Sequence, residues 1–146
     1  MPSVPDPIDV AARALRHRDR SRAQIDARLE GAGVGDGARA EALAALERAG
    51  WVDDTRFAGL RAATLADRGF GDAVIRHDLE ESGVGAEDVE HALAGLPPEG
   101  ERITAIVARR GATVATAAHL ARKGFDEDAI ASAVGADVAE PPAASV

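Results

Sequence analysis

Four histidines, at 17, 77, 91 and 119, are the side chains on which a metal site or a proton relay would draw first. None pairs with a carboxylate in a zinc-binding pattern such as HExxH, so no metal-ligating set is expected. Asp53-Asp54 could be an acid/base pair. Adjacent acids ahead of an apolar run are more simply a helix start, where a carboxylate accepts from free first-turn amides. Asp126-Glu127-Asp128 has the same character, since acids suit the positive end of a helix. The glycines at 31, 33, 35 and 37 hint at a phosphate loop. They follow a helical pattern, not a strand, and lack the terminal Lys-Ser/Thr, so they read as a helix-to-helix turn. No nucleophile–base constellation is present. No catalytic residue, cofactor or enzymatic activity is expected.

The arginines are the remaining candidates. Arg13, Arg16, Arg20, Arg22 and Arg28 crowd the first fifty residues. Arg61 and Arg68, seven apart, project from nearly the same side of a helix. Arg109-Arg110 and Arg122-Lys123 bracket another helix. Each alone is compatible with a solvated charge paired to a local acid. Together they form the expected partner-binding set. The chain as a whole is acidic, at net −8. Residues 1–50 hold eight Arg against eight Asp/Glu, residues 51–100 four against eleven, and residues 101–146 five Lys/Arg against six. That balance disfavours a strong non-specific grip on a phosphate backbone, which needs many basic contacts, but leaves room for a local basic stripe.

The elements that must carry these side chains repeat. Ile25, Leu29, Gly33, Val34, Leu43 and Leu46 recur without a gap as Ile75, Leu79, Gly83, Val84, Leu93 and Leu96. A third copy follows: Leu120, Gly124, Phe125, Ile130 and Val134 match Leu79, Gly83, Val84, Val89 and Leu93, with a one-residue gap near Gly111. Such periodicity marks stacked modules, and stacked modules offer long surfaces for long partners. Aromatics make up only 3% of the residues, so the cores must be Ala, Leu, Val and Ile, which suits close-packed helices.

Everything reads as helix. Ile8, Ala11, Ala12 and Leu15 form one apolar stripe, with Arg13 and Arg16 opposite. Ser21 with Gln24 is a capping box. A third helix spans 38–49. Four starts repeat one grammar, an apolar residue before the cap and another four positions into the helix: Val52 with Phe57, Phe70 with Ile75, Val84 with Val89, Phe125 with Ile130. The third module's helices are expected over 102–110, 114–123 and 127–134. The aromatics Trp51, Phe57, Phe70 and Phe125 sit at these starts or at module junctions, and all four are assigned to packing.

The resulting division is a flexible leader over 1–7 and three-helix modules over 8–50, 51–96 and 101–135. A linker over 97–100 gives the third module some independence, and a disordered tail covers 136–146. The chain has Cys 0, so disulfides are excluded and a reducing compartment fits. No apolar run approaches a membrane span, and the start, MPSVPDP, is unlike a secretory signal.

Two stretches go beyond periodicity. One is Gly50-Trp51-Val52-Asp53-Asp54-Thr55-Arg56-Phe57-Ala58, with Arg68-Gly69-Phe70-Gly71 and Ile75-Arg76-His77-Asp78-Leu79 after it. The other is Leu120-Ala121-Arg122-Lys123-Gly124-Phe125-Asp126-Glu127-Asp128-Ala129-Ile130. Both resemble the RecX family, bacterial regulators of the RecA recombinase. Ser21 to Ile25, with Leu29, resembles the family's first repeat. The resemblance covers roughly residues 8–135. It implies an all-α protein of three tandem three-helix modules in an elongated, curved arrangement. It further implies a cytoplasmic, non-catalytic monomer acting in DNA repair, homologous recombination and the SOS response. Such a protein binds along the RecA–single-stranded DNA filament and inhibits its extension, ATPase and strand exchange, with single-stranded DNA itself bound weakly. The family signature falls on Asp53, Asp54, Arg56 and Phe57, which together with Trp51, Phe70 and Phe125 are read as structural. The competing reading is a stand-alone nucleic-acid-binding protein with helix-turn-helix-like modules.

Overall fold

The structure is a computed structural model that describes residues 3–135. Among these residues there are nine helices and no strand. They are α1 (Pro7–Leu15), α2 (Arg22–Gly31), α3 (Asp36–Arg48), α4 (Asp54–Asp67), α5 (Asp72–Glu81), α6 (Ala86–Ala94), α7 (Glu99–Arg110), α8 (Val114–Arg122) and α9 (Glu127–Val134). The main helix–helix contacts fall within three consecutive trios, α1–α3, α4–α6 and α7–α9.

Each trio has its own core. The first is built from Ala11, Ala14, Ile25, Leu29, Val34, Ala42, Leu43, Leu46 and Val52. The second gathers Phe57, Ala58, Ala62, Leu65, Ile75, Leu79, Val84, Val89 and Ala92. The third is Ile103, Ile106, Leu120, Phe125, Ile130 and Val134. The repeated leucine and isoleucine of each middle helix (Ile25 and Leu29, Ile75 and Leu79, Leu120) are fully buried. Small apolar cores of this kind are marginal singly and gain stability by stacking.

Helix starts follow the expected chemistry. The Ser21 hydroxyl accepts from the Gln24 amide and the Gln24 side chain accepts from the Ser21 amide, closing the capping box. Asp53 accepts from the Arg56 amide and Asp126 from the Ala129 amide. Three of the four apolar pairs across helix starts share a core: Phe70 with Ile75, Val84 with Val89, and Phe125 with Ile130. The fourth is divided. Val52 closes the first core while Phe57 enters the second, so this residue pair straddles two modules.

The first helix differs from expectation. Its buried residues are Ala11 and Ala14, while Ile8 is 39% exposed and Ala12 and Leu15 are only partly covered. Two alanines let α1 lie close against α2 and α3, with Val10 and Leu15 packed at the edge of the core and Ile8 outside it. The helix also begins at Pro7 behind an Asp6 cap, so the end of the expected leader is helical. Likewise α7 begins at Glu99, inside the expected linker. The expected tail over 136–146 lies outside the described residues.

The modules meet through one device used twice. The start of α2 lies on the turn that ends α5, where the buried Ser21 hydroxyl donates to the Ser82 carbonyl at 2.6 Å. The Arg22 amide donates to Asp54, the first residue of α4, at 2.7 Å. The start of α5 lies in the same way on the turn that ends α8. There the Gly71 amide donates to the Lys123 carbonyl at 2.8 Å and the Asp72 amide to Glu99, the first residue of α7, at 3.1 Å. Both turns need a left-handed glycine, Gly83 at φ 80° and Gly124 at φ 89°. Both also lack room for a side chain: a Cβ on Gly83 would lie 2.3 Å from the Ala23 Cβ, and one on Gly124 2.5 Å from Val74.

Side chains of the third module also reach across this junction. The Arg102 guanidinium binds Asp72 at 2.6 Å and the Phe70 carbonyl at 2.7 Å, and lies over the Phe125 ring.

Candidate partner-binding surface

Three helices end side by side where the second and third modules meet. The last turn of α7 supplies Arg109 and Arg110, the cap of α8 supplies Lys123, and the cap of α4 supplies Arg68. Helix C-termini carry partial negative charge, which offsets part of the repulsion among these cations. With His119 they line a cleft of about 290 Å³ whose one acid among the described residues is Asp67. Ile106 forms an apolar part of its wall. Among the described residues none of the four permanent cations is in a salt bridge. Lys123 instead sits 4.3 Å above the Phe70 ring, a placement that fixes the ammonium without neutralising it. Loss of water around the imidazole lowers the His119 pKa, and Arg110, Lys123 and Arg122 push it down further. The ring is therefore neutral at physiological pH and can accept or donate a hydrogen bond.

A second cationic surface lies on the first module. Arg16 and Trp51 border a cleft of about 450 Å³ together with Ala12, Leu15, Asp19 and Arg56. Trp51 is 50% exposed, so its assignment to packing is corrected. The cause is local. Arg56 donates to both Asp19 oxygens at 3.0 Å, and also to the Gly50 carbonyl at 2.8 Å, which ties down the backbone beside Trp51 and leaves the ring outside. Arg13, one turn before Arg16, is exposed on the same helix, and neither is ion-paired among the described residues. Arginines beside an exposed tryptophan can grip an anionic or π-rich surface.

The expected basic set thus divides. Arg68, Arg109, Arg110 and Lys123 converge, Arg16 shares a cleft with Trp51, and Arg13 is exposed one turn earlier on α1. Three others are engaged within the chain. Arg22 binds Glu47 at 2.5 Å, and Arg61 holds Asp78 through two bonds at 2.8 and 2.9 Å. The Arg61 guanidinium holds the Asp78 carboxyl below the usual range. Arg20 donates to the Ala14 carbonyl at 2.7 Å. Its pKa is lowered by burial and by the neighbouring Arg28 and Arg18. Arg122 is exposed beside the junction cleft without lining it. Among the signature residues, Phe57 and Phe125 are buried, Phe70 is partly buried, and Asp53 is a cap. Asp54 receives the Arg22 amide, yet burial and the nearby acids Asp88 and Glu47 raise its pKa.

Sequence reasoning weighed His119 only as a metal ligand and left it and Arg102 out of the partner-binding set. His119 stands four residues before Lys123, so helical spacing alone put the two on one face. Arg102 lies in the first turns of a helix, an unfavourable place for a cation, which hints at a tertiary acid partner.

The second trio matches the family domain described as "RecX, second three-helix domain" over residues 53–93. A regulatory protein RecX of Stenotrophomonas maltophilia is 30% identical, with 93% of this chain and 90% of that protein covered. The chain belongs to the RecX family. A RecX of Acidithiobacillus ferrooxidans is 35% identical over 79 residues, covering 54% of this chain and 53% of that one. The crystal structure of RecX from Lactobacillus salivarius superposes with a TM-score of 0.76 at 19% identity, covering 88% of this chain and 92% of that one. A second RecX crystal structure gives 0.66 at 20% identity, covering 85% and 69%. These two likenesses show the fold, tandem three-helix modules. The relatives are named regulatory proteins. Among the described residues no helix is long and apolar enough to cross a membrane.

Proposed function

We propose that this RecX chain is a cytoplasmic, non-catalytic regulator that binds the RecA–single-stranded DNA filament and inhibits its extension, ATPase and strand exchange. The observation that carries the reading is the junction cleft, whose four permanent cations have no ion pair among the described residues, with a free Arg16 beside exposed Trp51 on the first module, on an otherwise acidic chain of stacked modules. Arg13, Arg16 and Trp51 serve one contact. Arg68, Arg109, Arg110 and Lys123 serve the other, with His119 as a neutral hydrogen-bonding group. Acidic surface elsewhere restricts binding to partners that meet these clefts in register.

Titrating the protein into RecA, ATP and single-stranded DNA tests the reading. ATP hydrolysis and filament length should both fall at sub-stoichiometric to equimolar amounts. Unchanged hydrolysis and unchanged filament length would remove the proposal. Arg109→Glu with Arg110→Glu should weaken the inhibition at least tenfold while leaving the helical content intact.

The junction cleft also supports the second reading, direct nucleic-acid binding without a recombinase. Its four permanent cations would give a salt dependence of about −3 in log K against log [salt] on a single strand. Anisotropy of a labelled oligonucleotide at two salt concentrations separates the readings. Tight, salt-sensitive binding with no effect on RecA favours the stand-alone binder.

A further inference from the structure

Among the described residues the device that joins modules has one open end of each kind. In both internal junctions a middle helix begins on the glycine turn that ends the next middle helix. The equivalent turn of the first module, at Gly33, has the same backbone: φ is 88°, and the Val34 amide donates to Leu29 at 3.0 Å. The matching bonds at the occupied turns, Val84 to Leu79 and Phe125 to Leu120, measure 3.1 and 3.2 Å. A Cβ on Gly33 would meet nothing within 4 Å, whereas those on Gly83 and Gly124 would collide with their occupants. The Ala32 carbonyl, unlike those of Ser82 and Lys123, accepts no hydrogen bond among the described residues.

The opposite end carries the matching free piece. The start of α8 is capped by Thr113 and followed by Val114, which is 68% exposed. The Val114 amide has no partner among the described residues, while the corresponding amides of Arg22 and Asp72 donate to acids opening the next module's first helix. The first module's own first helix opens with Pro7 behind the Asp6 cap, whose carboxylate already accepts from the Ile8 amide, so no free acid stands at the equivalent place and the match rests on the turn and the free Val114 amide. Charge is a weaker part of the match. Glu30 flanks the open turn without an ion pair among the described residues, Asp36 is already held by Arg39 at 2.8 Å, and Arg109-Arg110 end the helix just ahead of α8.

We propose that a second copy of this chain docks the start of its α8 on the open turn at Gly33, so that copies join head to tail. Such a joint uses two different surfaces and leaves one of each free, so it propagates instead of closing. The surface is small, a single helix start on a single turn. The chain is therefore a monomer when dilute and joins where copies are concentrated or held in line. This inference does not depend on the recombinase.

The chain has Cys 0, which permits a clean test. The full chain carrying Ala32→Cys and Val114→Cys is treated with a short bis-maleimide. A ladder of dimer, trimer and larger species should form, at least fivefold above that of a control pairing Ala32→Cys with Glu87→Cys. Val114→Cys alone should give no more dimer than collisions supply. Separately, sedimentation of the unaltered protein should rise with concentration, and Val114→Glu, at an exposed position, should abolish the rise. A ladder no stronger than the control, with sedimentation flat in concentration, overturns the proposal. So does efficient dimer formation by Val114→Cys alone, because the contact would then be face to face.

Discussion

Replacing Gly71 by alanine separates docking from every other role of that residue. Its backbone, at φ −85° and ψ 172°, is open to any L-residue, so no strain arises within the residue. The new Cβ would lie 2.4 Å from the carbonyl carbon and oxygen of Gly124 and 2.5 Å from the Phe125 nitrogen. All three are backbone atoms and no rotamer change relieves the clash, so α5 must withdraw from the turn. Withdrawal breaks the Gly71–Lys123 bond at 2.8 Å and the Ala73–Gly124 bond at 3.3 Å. At about 1 kcal/mol net for each, the junction loses about 2 kcal/mol. Gly71 is also a helix cap, and alanine there costs about 0.5–1 kcal/mol more. Gly85→Ala isolates that second contribution. Gly85 caps α6 with a similar backbone, and a Cβ there meets nothing within 4 Å. Urea unfolding followed by circular dichroism should therefore place Gly71→Ala about 2 kcal/mol below Gly85→Ala. Amide exchange in α7–α9 should accelerate in the first variant alone. Equal stabilities within 0.5 kcal/mol would refute the docking of α5 on the α8 turn.

Three further outcomes follow from single sites. Phe57→Ala should cost about 3–5 kcal/mol, as buried aromatic truncations do, measured by denaturant unfolding. Reversing Arg13 and Arg16 to Glu together should weaken filament binding while moving the melting temperature by less than about 2 °C, since exposed unpaired charges contribute little to the fold. Asp54→Asn should raise the melting temperature at pH 7, because the folded state disfavours the Asp54 charge while Asn keeps an oxygen for the Arg22 amide. The sign follows from linkage. A carboxyl raised in the folded state stabilises the fold as pH falls through its folded pKa, so the two proteins should converge below about pH 4, where the wild-type carboxyl is neutral in both states. A constant difference across that range would contradict the raised pKa.

The periodic residues carried most of the fold. Ile25, Leu29, Ile75, Leu79 and Leu120 were legible as core because their spacing matches a helix turn and nothing competes for their burial. Capping was legible at Ser21, Asp53 and Asp126 because it is decided by neighbours three residues away. The face of α1 was not, because alanines gave the stripe no clear centre and close packing selected Ala14 over Leu15. The exposure of Trp51 depends on Asp19 and Arg56 meeting across 37 residues, which local pattern does not encode. The candidate site was half legible. Arginines could be counted, but whether an acid such as Asp78 or Glu47 lies opposite one is a tertiary fact. That division left Arg68, Arg109, Arg110 and Lys123 unneutralised and removed Arg22 and Arg61.

Val52 belongs to the first core yet lies beyond Gly50, on the approach to the fourth helix. During synthesis the leading trio therefore lacks an inner wall until that valine has cleared the ribosome. Arg22 must likewise wait for Asp54 to emerge. Until then the first core, Leu46 included, lacks the residue that closes it, so a nascent chain stopped just after Gly50 holds that trio incomplete.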